Sequence, residues 1–323
     1  MEPIMLYLTY FALLNLAVVL AGYWFVRNAM VWQSWVLLAF SIYTIHMIFL
    51  NESAIIRMLA LIATTFTAMK VIAAAESYKG KLSSLSFRQW TVFAIGWAGM
   101  RAQPFETLGD PALPDAWPKI RFGISRVLAG LVLILVAHQL VTLSINPYVL
   151  YLMITAILLL AFSLILHFGL LSISAGMWRL SGVGTYYLFK TPAKAKTLNE
   201  FWSKRWNLAF SEMTSVTIFR PLKDKIGAAA ALMIAFVFSG LLHELALSVP
   251  VNSGYGFPLL YFIIQGIAVI AEKALIKYKI GFLQHRQLAR IWVFFWVVIP
   301  TPLLFHTQFI SSVIWPLSGI TIK

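Results

Sequence analysis

Two short stretches concentrate the residues that could do chemistry. In SGLLHELAL (239–247) a histidine and a glutamate, His243 and Glu244, stand side by side in a run otherwise fit for a membrane interior. Ionisable groups at that depth cost about 2.5 kcal/mol or more, so they have a task or a partner. In TLNEFWSKRWNLAF (197–210) aromatic and basic residues alternate around Asn207. Neutral imidazole is the side chain best matched to proton transfer near pH 7, which makes His243 the first candidate.

Spacing removes several chemistries. A zinc protease would need a second histidine at position 247, and that residue is Leu247. No metal site follows from the sequence. None of the six histidines is followed five positions later by aspartate, so the soluble-type His-x4-Asp acyltransferase motif is missing, as are a G-x-S-x-G elbow and a Walker sequence. The chain has no cysteine, which excludes disulfides, thiolate nucleophiles and acyl-cysteine intermediates.

The elements that position these residues follow from composition. Of 323 residues, 61% are hydrophobic and 11% charged, a balance no ordinary soluble domain has. A helical span takes roughly 20 mainly apolar residues, and such runs recur without the alternation of a membrane barrel. The reading is an all-α, polytopic bundle of about eight spans, at 4–26, 30–50, 54–76, 127–144, 147–168, 226–249, 256–276 and 289–311. It predicts one membrane domain over 1–323. The first run has no basic leader and no convincing cleavage site, so it reads as a retained span. Most of the 25 Lys and Arg residues fall in 27–29, 77–126, 169–225 and 277–290, which assigns those intervals to the cytoplasm and both termini to the outside. The net charge of +14 is thereby explained by topology, lipid headgroups or phosphate-bearing substrates, and not by nucleic acid. Within the cytoplasmic intervals, 88–100 is apolar but too short to cross and reads as re-entrant or interfacial. The following 101–119 holds four prolines that forbid regular helix. The interval 169–225 reads as short amphipathic helices at the inner interface.

Taken together, the two stretches resemble the wax-synthase-like branch of the membrane-bound O-acyltransferase superfamily. Its F-W-x-x-R-W-N element is matched by Phe201, Trp202, Arg205, Trp206 and Asn207, and its S-G-x-x-H-E element by Ser239, Gly240, His243 and Glu244. GWAGMRAQPF (96–105), MWRLSGVG (177–184) and FKTPAKAKTLNEFW (189–202) extend the similarity. The resemblance implies transfer of a fatty acyl group from a thioester, acyl-CoA or another carrier, to the hydroxyl of a lipophilic alcohol. It implies an integral multi-pass protein of a bacterial inner membrane or the endoplasmic reticulum, with acyl-CoA as co-substrate and no separate cofactor or metal. In that reading His243 is the general base, and Asn207 positions the acceptor or donates to the thioester carbonyl as it becomes an oxyanion. Trp202, Arg205, Trp206, Glu244, Arg179 and Arg220 are the candidate substrate contacts. Cytoplasmic Lys190, Lys194, Lys196, Lys204, Arg205, Lys223 and Lys225 would surround the mouth of an acyl tunnel and meet the phosphates of CoA, although topology alone also explains them.

Each residue also has a plainer reading. Asn207 could simply cap a helix. Adjacent helical residues point about 100° apart, so Glu244 is expected to anchor a neighbouring helix and not to orient the imidazole. Trp202 and Trp206, four apart, read as interfacial anchors, and Arg179 and Arg220 as headgroup contacts. Arg57 and Lys70, near the ends of the third run, read as snorkelling cations. His46, His138, His167 and His306 read as bundle hydrogen bonds or interface residues, and His285 as solvated. Starting the sixth span at Ile226 puts His243 roughly 25 Å along it, towards the outer face. Either the helix starts deeper, the bilayer thins, or the acceptor enters from outside. A rival from another class is a transporter or lipid-binding protein that holds an anionic ligand without turnover.

Overall fold

The computed structural model describes residues 3–81, 84–279 and 281–320. These residues are helical or irregular, with no strand among them. Eight helices are long and apolar enough to cross a membrane: Met5–Arg27, Val31–Ile48, Ala54–Ser77, Ala116–Leu140, Pro147–Leu180, Ala228–Ser248, Phe257–Lys277 and Arg286–Leu304. They are the first to eighth spans below. The chain separates into two compact units, one of residues 1–103 and 190–306, the other of 104–189 and 307–323.

The first unit holds the first, second, third, sixth, seventh and eighth spans. Its third span is the buried one, packed against the first two, with Thr64, Ala68, Met69 and Ile72 excluded from the surface. Its charges do not snorkel. Arg57 is buried and donates to the carbonyls of Val249 (3.0 Å) and Pro250 (3.1 Å) and to Asn252 Oδ1 (3.2 Å), just past the end of the sixth span. Lys70 is buried too, and its Nζ donates to the carbonyls of Phe93 (3.2 Å) and Ala94 (2.7 Å). Those carbonyls belong to the last turn of the short helix Phe87–Gly96. Helix C-termini leave carbonyls unsatisfied and carry partial negative charge, so a cation placed there is stabilised without reaching water.

The helix Phe87–Gly96 is started by a capping box between Ser86 and Gln89. Its Trp90 is fully buried and donates from Nε1 to the Val19 carbonyl (2.8 Å). Val19 and Lys70 both lie roughly 11 Å inside the ends of their own spans. The segment expected to be re-entrant or interfacial is a short helix packed against the first and third spans.

The second unit is built on the fourth and fifth spans, which approach closely at small residues. A Cβ on Gly123 or Gly130 would meet carbonyl oxygens of Gly169 or Ala161 in the facing helix. Asn146 caps the fifth span by accepting from the amides of Tyr148 and Val149, with Pro147 at its first position.

Three boundaries differ from the sequence reading. The fourth span begins at Ala116, not at 127, because Pro118 falls in the first turn, where no intrahelical N–H is needed, and Lys119 is paired with Asp115. The fifth runs for 34 residues to Leu180, through a π-helical stretch at Leu164–Leu170, so 169–180 is not a separate interfacial helix. At roughly 50 Å it exceeds the hydrocarbon core of about 30 Å. The eighth ends at Leu304, not at 311, with Pro300 and Pro302 interrupting it.

Candidate active site

The first stretch folds as a helix that changes pitch. Thr197 caps it, its side chain accepting from the Glu200 amide (2.9 Å), and Leu198–Glu200 runs into a π turn at Phe201–Arg205. Trp206 leaves the turn in extended conformation, and Asn207 follows with φ +44°, a left-handed backbone that asparagine tolerates better than most residues. Asn207 then starts the next helix, Leu208–Thr214, its Oδ1 accepting from the Phe210 amide (3.4 Å). The plain reading of Asn207 as a cap is correct. It also fixes the amide: with Oδ1 turned to the cap, Nδ2 faces away and makes no hydrogen bond among the described residues.

Two further contacts lock this hinge. Ser211 Oγ donates to the Trp202 carbonyl left free by the π turn. Glu212 accepts from Arg101 Nε (3.0 Å), tying in the GWAGMRAQPF stretch.

The second stretch ends the α-helical part of the sixth span, which turns π-helical at Glu244–Ser248. Gly240 is buried, and a Cβ there would come within 3.0 Å of Leu259 Cα, so the small-residue face does allow the close approach expected of it. That approach brings Phe262 to His243, with ring centroids 4.3 Å apart. Phe210 flanks the same imidazole at 5.4 Å and itself meets Phe66 of the third span. The helix capped by Asn207 thus supplies one wall of the histidine's surroundings.

The protonation pattern of His243 follows from its one hydrogen bond. Nδ1 lies 2.7 Å from the Ser239 carbonyl, one turn back. A carbonyl only accepts, so Nδ1 carries the proton, and in the neutral ring Nε2 keeps its lone pair. Nε2 makes no hydrogen bond among the described residues. This is the tautomer a general base requires.

Glu244 does what the helical geometry predicted. Its Oε1 accepts from the amides of Gly256 (2.9 Å) and Leu259 (3.0 Å), closing the N-terminus of the seventh span. Trp202 and Trp206 are half-buried and pack against the core of the first unit. Trp202 packs against Phe236, Tyr261 and Phe262 and donates from Nε1 to Gln265 Oε1 (3.2 Å), while Trp206 stacks on Phe201. Arg205 spends its donors locally, on Glu200 Oε1 (2.7 Å) and Thr191 Oγ1 (2.9 Å). Burial alone would raise the Glu200 carboxyl, but the Lys196 amide and the Arg205 guanidinium outweigh it and hold it below the usual carboxylate range.

The two remaining arginines differ. Arg179 lies in the second unit, where it donates to the Thr185 carbonyl (2.6 Å) and pairs with Asp115. The hydrogen bond from Lys119, with Arg179 beside it, holds the Asp115 carboxyl below its ordinary value although burial pushes the other way. Arg220 is exposed and makes no hydrogen bond or ion pair among the described residues. Lys190, Lys194, Lys196, Lys204, Lys223 and Lys225 are exposed as well. His138 bonds the Ser318 carbonyl (2.8 Å), His167 meets Ser163 Oγ (3.2 Å) and His306 bonds the Leu247 backbone, as bundle histidines should. His46 instead lines an apolar cavity of about 390 Å³ with its Nδ1 buried and unbonded.

Sequence reasoning missed the seventh span's polar residues. Gln265 and Glu272 are fully buried. Gln265 links Trp202 to the Trp296 carbonyl (2.6 Å), and Glu272 accepts from the amides of Leu198 (2.8 Å) and Asn199 (3.3 Å) and from Trp292 Nε1 (3.1 Å). Their signal is a spacing of seven on a mainly apolar helix, which places them on one face.

Fold and site define a multi-pass helical membrane protein with an imidazole whose Nε2 makes no hydrogen bond among the described residues, beside an asparagine-capped hinge. Residues 186–264, which contain both stretches, match the model of the membrane bound O-acyl transferase family. Over 106 residues the chain is 29% identical to a long-chain-alcohol O-fatty-acyltransferase of Simmondsia chinensis, covering 29% of this chain and 30% of that one. Two proteins of Arabidopsis thaliana are also similar. Probable long-chain-alcohol O-fatty-acyltransferase 1 is 27% identical over 152 residues, covering 44% of this chain and 45% of its own. Probable long-chain-alcohol O-fatty-acyltransferase 9 is 28% identical over 138 residues, covering 38% and 40%. The matches span 30 to 45% of these relatives' own lengths. The wax-synthase-like resemblance is thus borne out over the segment that carries the site.

Proposed function

We propose that this chain is an acyltransferase that moves a fatty acyl group from a thioester, acyl-CoA, to the hydroxyl of a lipophilic alcohol. The observation that carries the reading is the His243 ring, whose Nδ1 is fixed on the Ser239 carbonyl while Nε2 is left open. In the reaction, Nε2 takes the proton of the alcohol as its oxygen attacks the thioester carbonyl carbon. The oxyanion that forms receives a hydrogen bond from Asn207 Nδ2. Collapse breaks the C–S bond, and the departing thiolate takes the proton from the imidazolium, leaving ester and free thiol. General-base help contributes about 10²- to 10⁴-fold and one oxyanion donor about 10²- to 10³-fold. No metal, cofactor or cysteine is required.

The acyl chain gains about 0.8 kcal/mol for each methylene buried among the spans. The exposed Arg220 and the lysines of 190–225 are suited to the CoA phosphates. Such a protein would work as a single membrane domain in a bacterial inner membrane or the endoplasmic reticulum. The test is purified protein in detergent with labelled acyl-CoA and a panel of fatty, sterol and isoprenoid alcohols. Ester and free CoA in equal amounts are expected. Saturable binding with no ester formed would favour the transporter reading instead.

A further inference from the structure

Phe262, Gln265 and Glu272 share one face of the seventh span, and each holds a different part of the site. Phe262 packs on the His243 ring, Gln265 holds the Trp202 indole and Glu272 holds the start of the helix that leads to Asn207. The Glu272 contact is complete. Of the first amides of that helix, those of Leu198 and Asn199 go to its two carboxylate oxygens, and that of Glu200 goes to Thr197. A carboxylate at a helix N-terminus meets both the unpaired N–H groups and the positive end of the helix dipole. A fully buried carboxylate costs several kcal/mol unless it is well bonded, and among the described residues this one is bonded to the motif helix and to Trp292 of the eighth span. Its position therefore couples the motif to two spans.

We infer that Glu272, assisted by Gln265, is a positioning residue that sets where Asn207 stands relative to His243. The inference rests on the acyl-transfer reading above. A helix N-terminus freed from Glu272 would let the Phe201–Arg205 turn shift, and a displacement of about 1 Å at a reacting group costs about 10²-fold in rate.

The experiment uses the full chain in detergent, with labelled acyl-CoA and a fatty alcohol, and separates kcat from KM. Glu272→Ala should lower kcat about 10²-fold with the acyl-CoA KM unchanged. Glu272→Gln, which keeps one acceptor oxygen but turns an NH2 towards an amide donor, should fall between the two. In an Asn207→Ala background Glu272→Ala should add no further loss, because both changes remove the same contribution. Wild-type kcat in Glu272→Ala, or losses that multiply fully in the double variant, would overturn the proposal. If Glu272→Ala does not fold, Glu272→Gln and Gln265→Ala carry the same comparison. If wild-type protein forms no ester, the transferase reading fails. Hydrogen exchange then decides the positioning claim: faster exchange confined to 197–207 in Glu272→Gln supports it, and unchanged exchange there contradicts it.

Discussion

The third and sixth spans both carry ionisable side chains deep in the bundle, and they use them differently. Arg57 and Lys70 have their charges absorbed by the carbonyl ends of other helices. Glu244, on the sixth span, mirrors them by holding the amide end of the seventh. His243, one residue earlier, holds no other element. Among the described residues its only hydrogen bond is to its own helix, and its second nitrogen has no partner. The difference separates two uses of polar groups in a membrane bundle: structural ones spend polar atoms on the termini of other helices, and candidates for chemistry do not. By the same rule Asn207 has one atom in each class, Oδ1 in a cap and Nδ2 free.

That division is open to test by substitution. After His243 itself, the largest effect is expected at Asn207, where Asn207→Asp keeps an acceptor for the Phe210 amide and loses the Nδ2 donor. Turnover should fall about 10²- to 10³-fold while the melting temperature stays close to wild type. Rate and melting measured on one preparation check both halves. Next, Lys70→Ala leaves two buried carbonyls without a donor and should lower stability by about 1–3 kcal/mol, seen in denaturation of the detergent-solubilised protein. The rate per folded molecule should hold. A smaller effect is expected for Glu244→Gln. The amide oxygen still accepts from Gly256 and Leu259, and the new NH2 replaces an Oε2 that is buried without a hydrogen-bond partner. Melting and rate should stay near wild type, whereas a loss of rate alone would move Glu244 into the chemical class. The smallest is Arg220→Ala, an exposed charge, for which the acyl-CoA KM should rise a few-fold at low salt and less at high salt.

Hydropathy made the spans legible because length and apolarity alone decide whether a helix can cross. It failed where a charge is neutralised locally, as at Lys119 beside Asp115, and where serines such as Ser172 lower hydropathy without breaking the helix. The candidate site was legible at His243 and Asn207, since both stand in compact stretches of unusual residues. Glu272 and Gln265 were not, because their partners lie 74 and 63 residues away in the chain, a pairing that no local pattern encodes. Arg57 and Lys70 were misread for the same reason: whether a cation snorkels depends on whether a helix terminus reaches it. The π turns at Phe201–Arg205 and Glu244–Ser248 left no trace in the periodicity, yet they set the direction in which the chain leaves each stretch.

The most direct test sets His243→Ala beside Arg57→Ala and measures ester formation and melting on each. The account predicts that His243→Ala melts like wild type and loses about 10²- to 10⁴-fold in rate, while Arg57→Ala melts early and keeps its rate per folded molecule. A His243→Ala protein that still makes ester at the wild-type rate would contradict it.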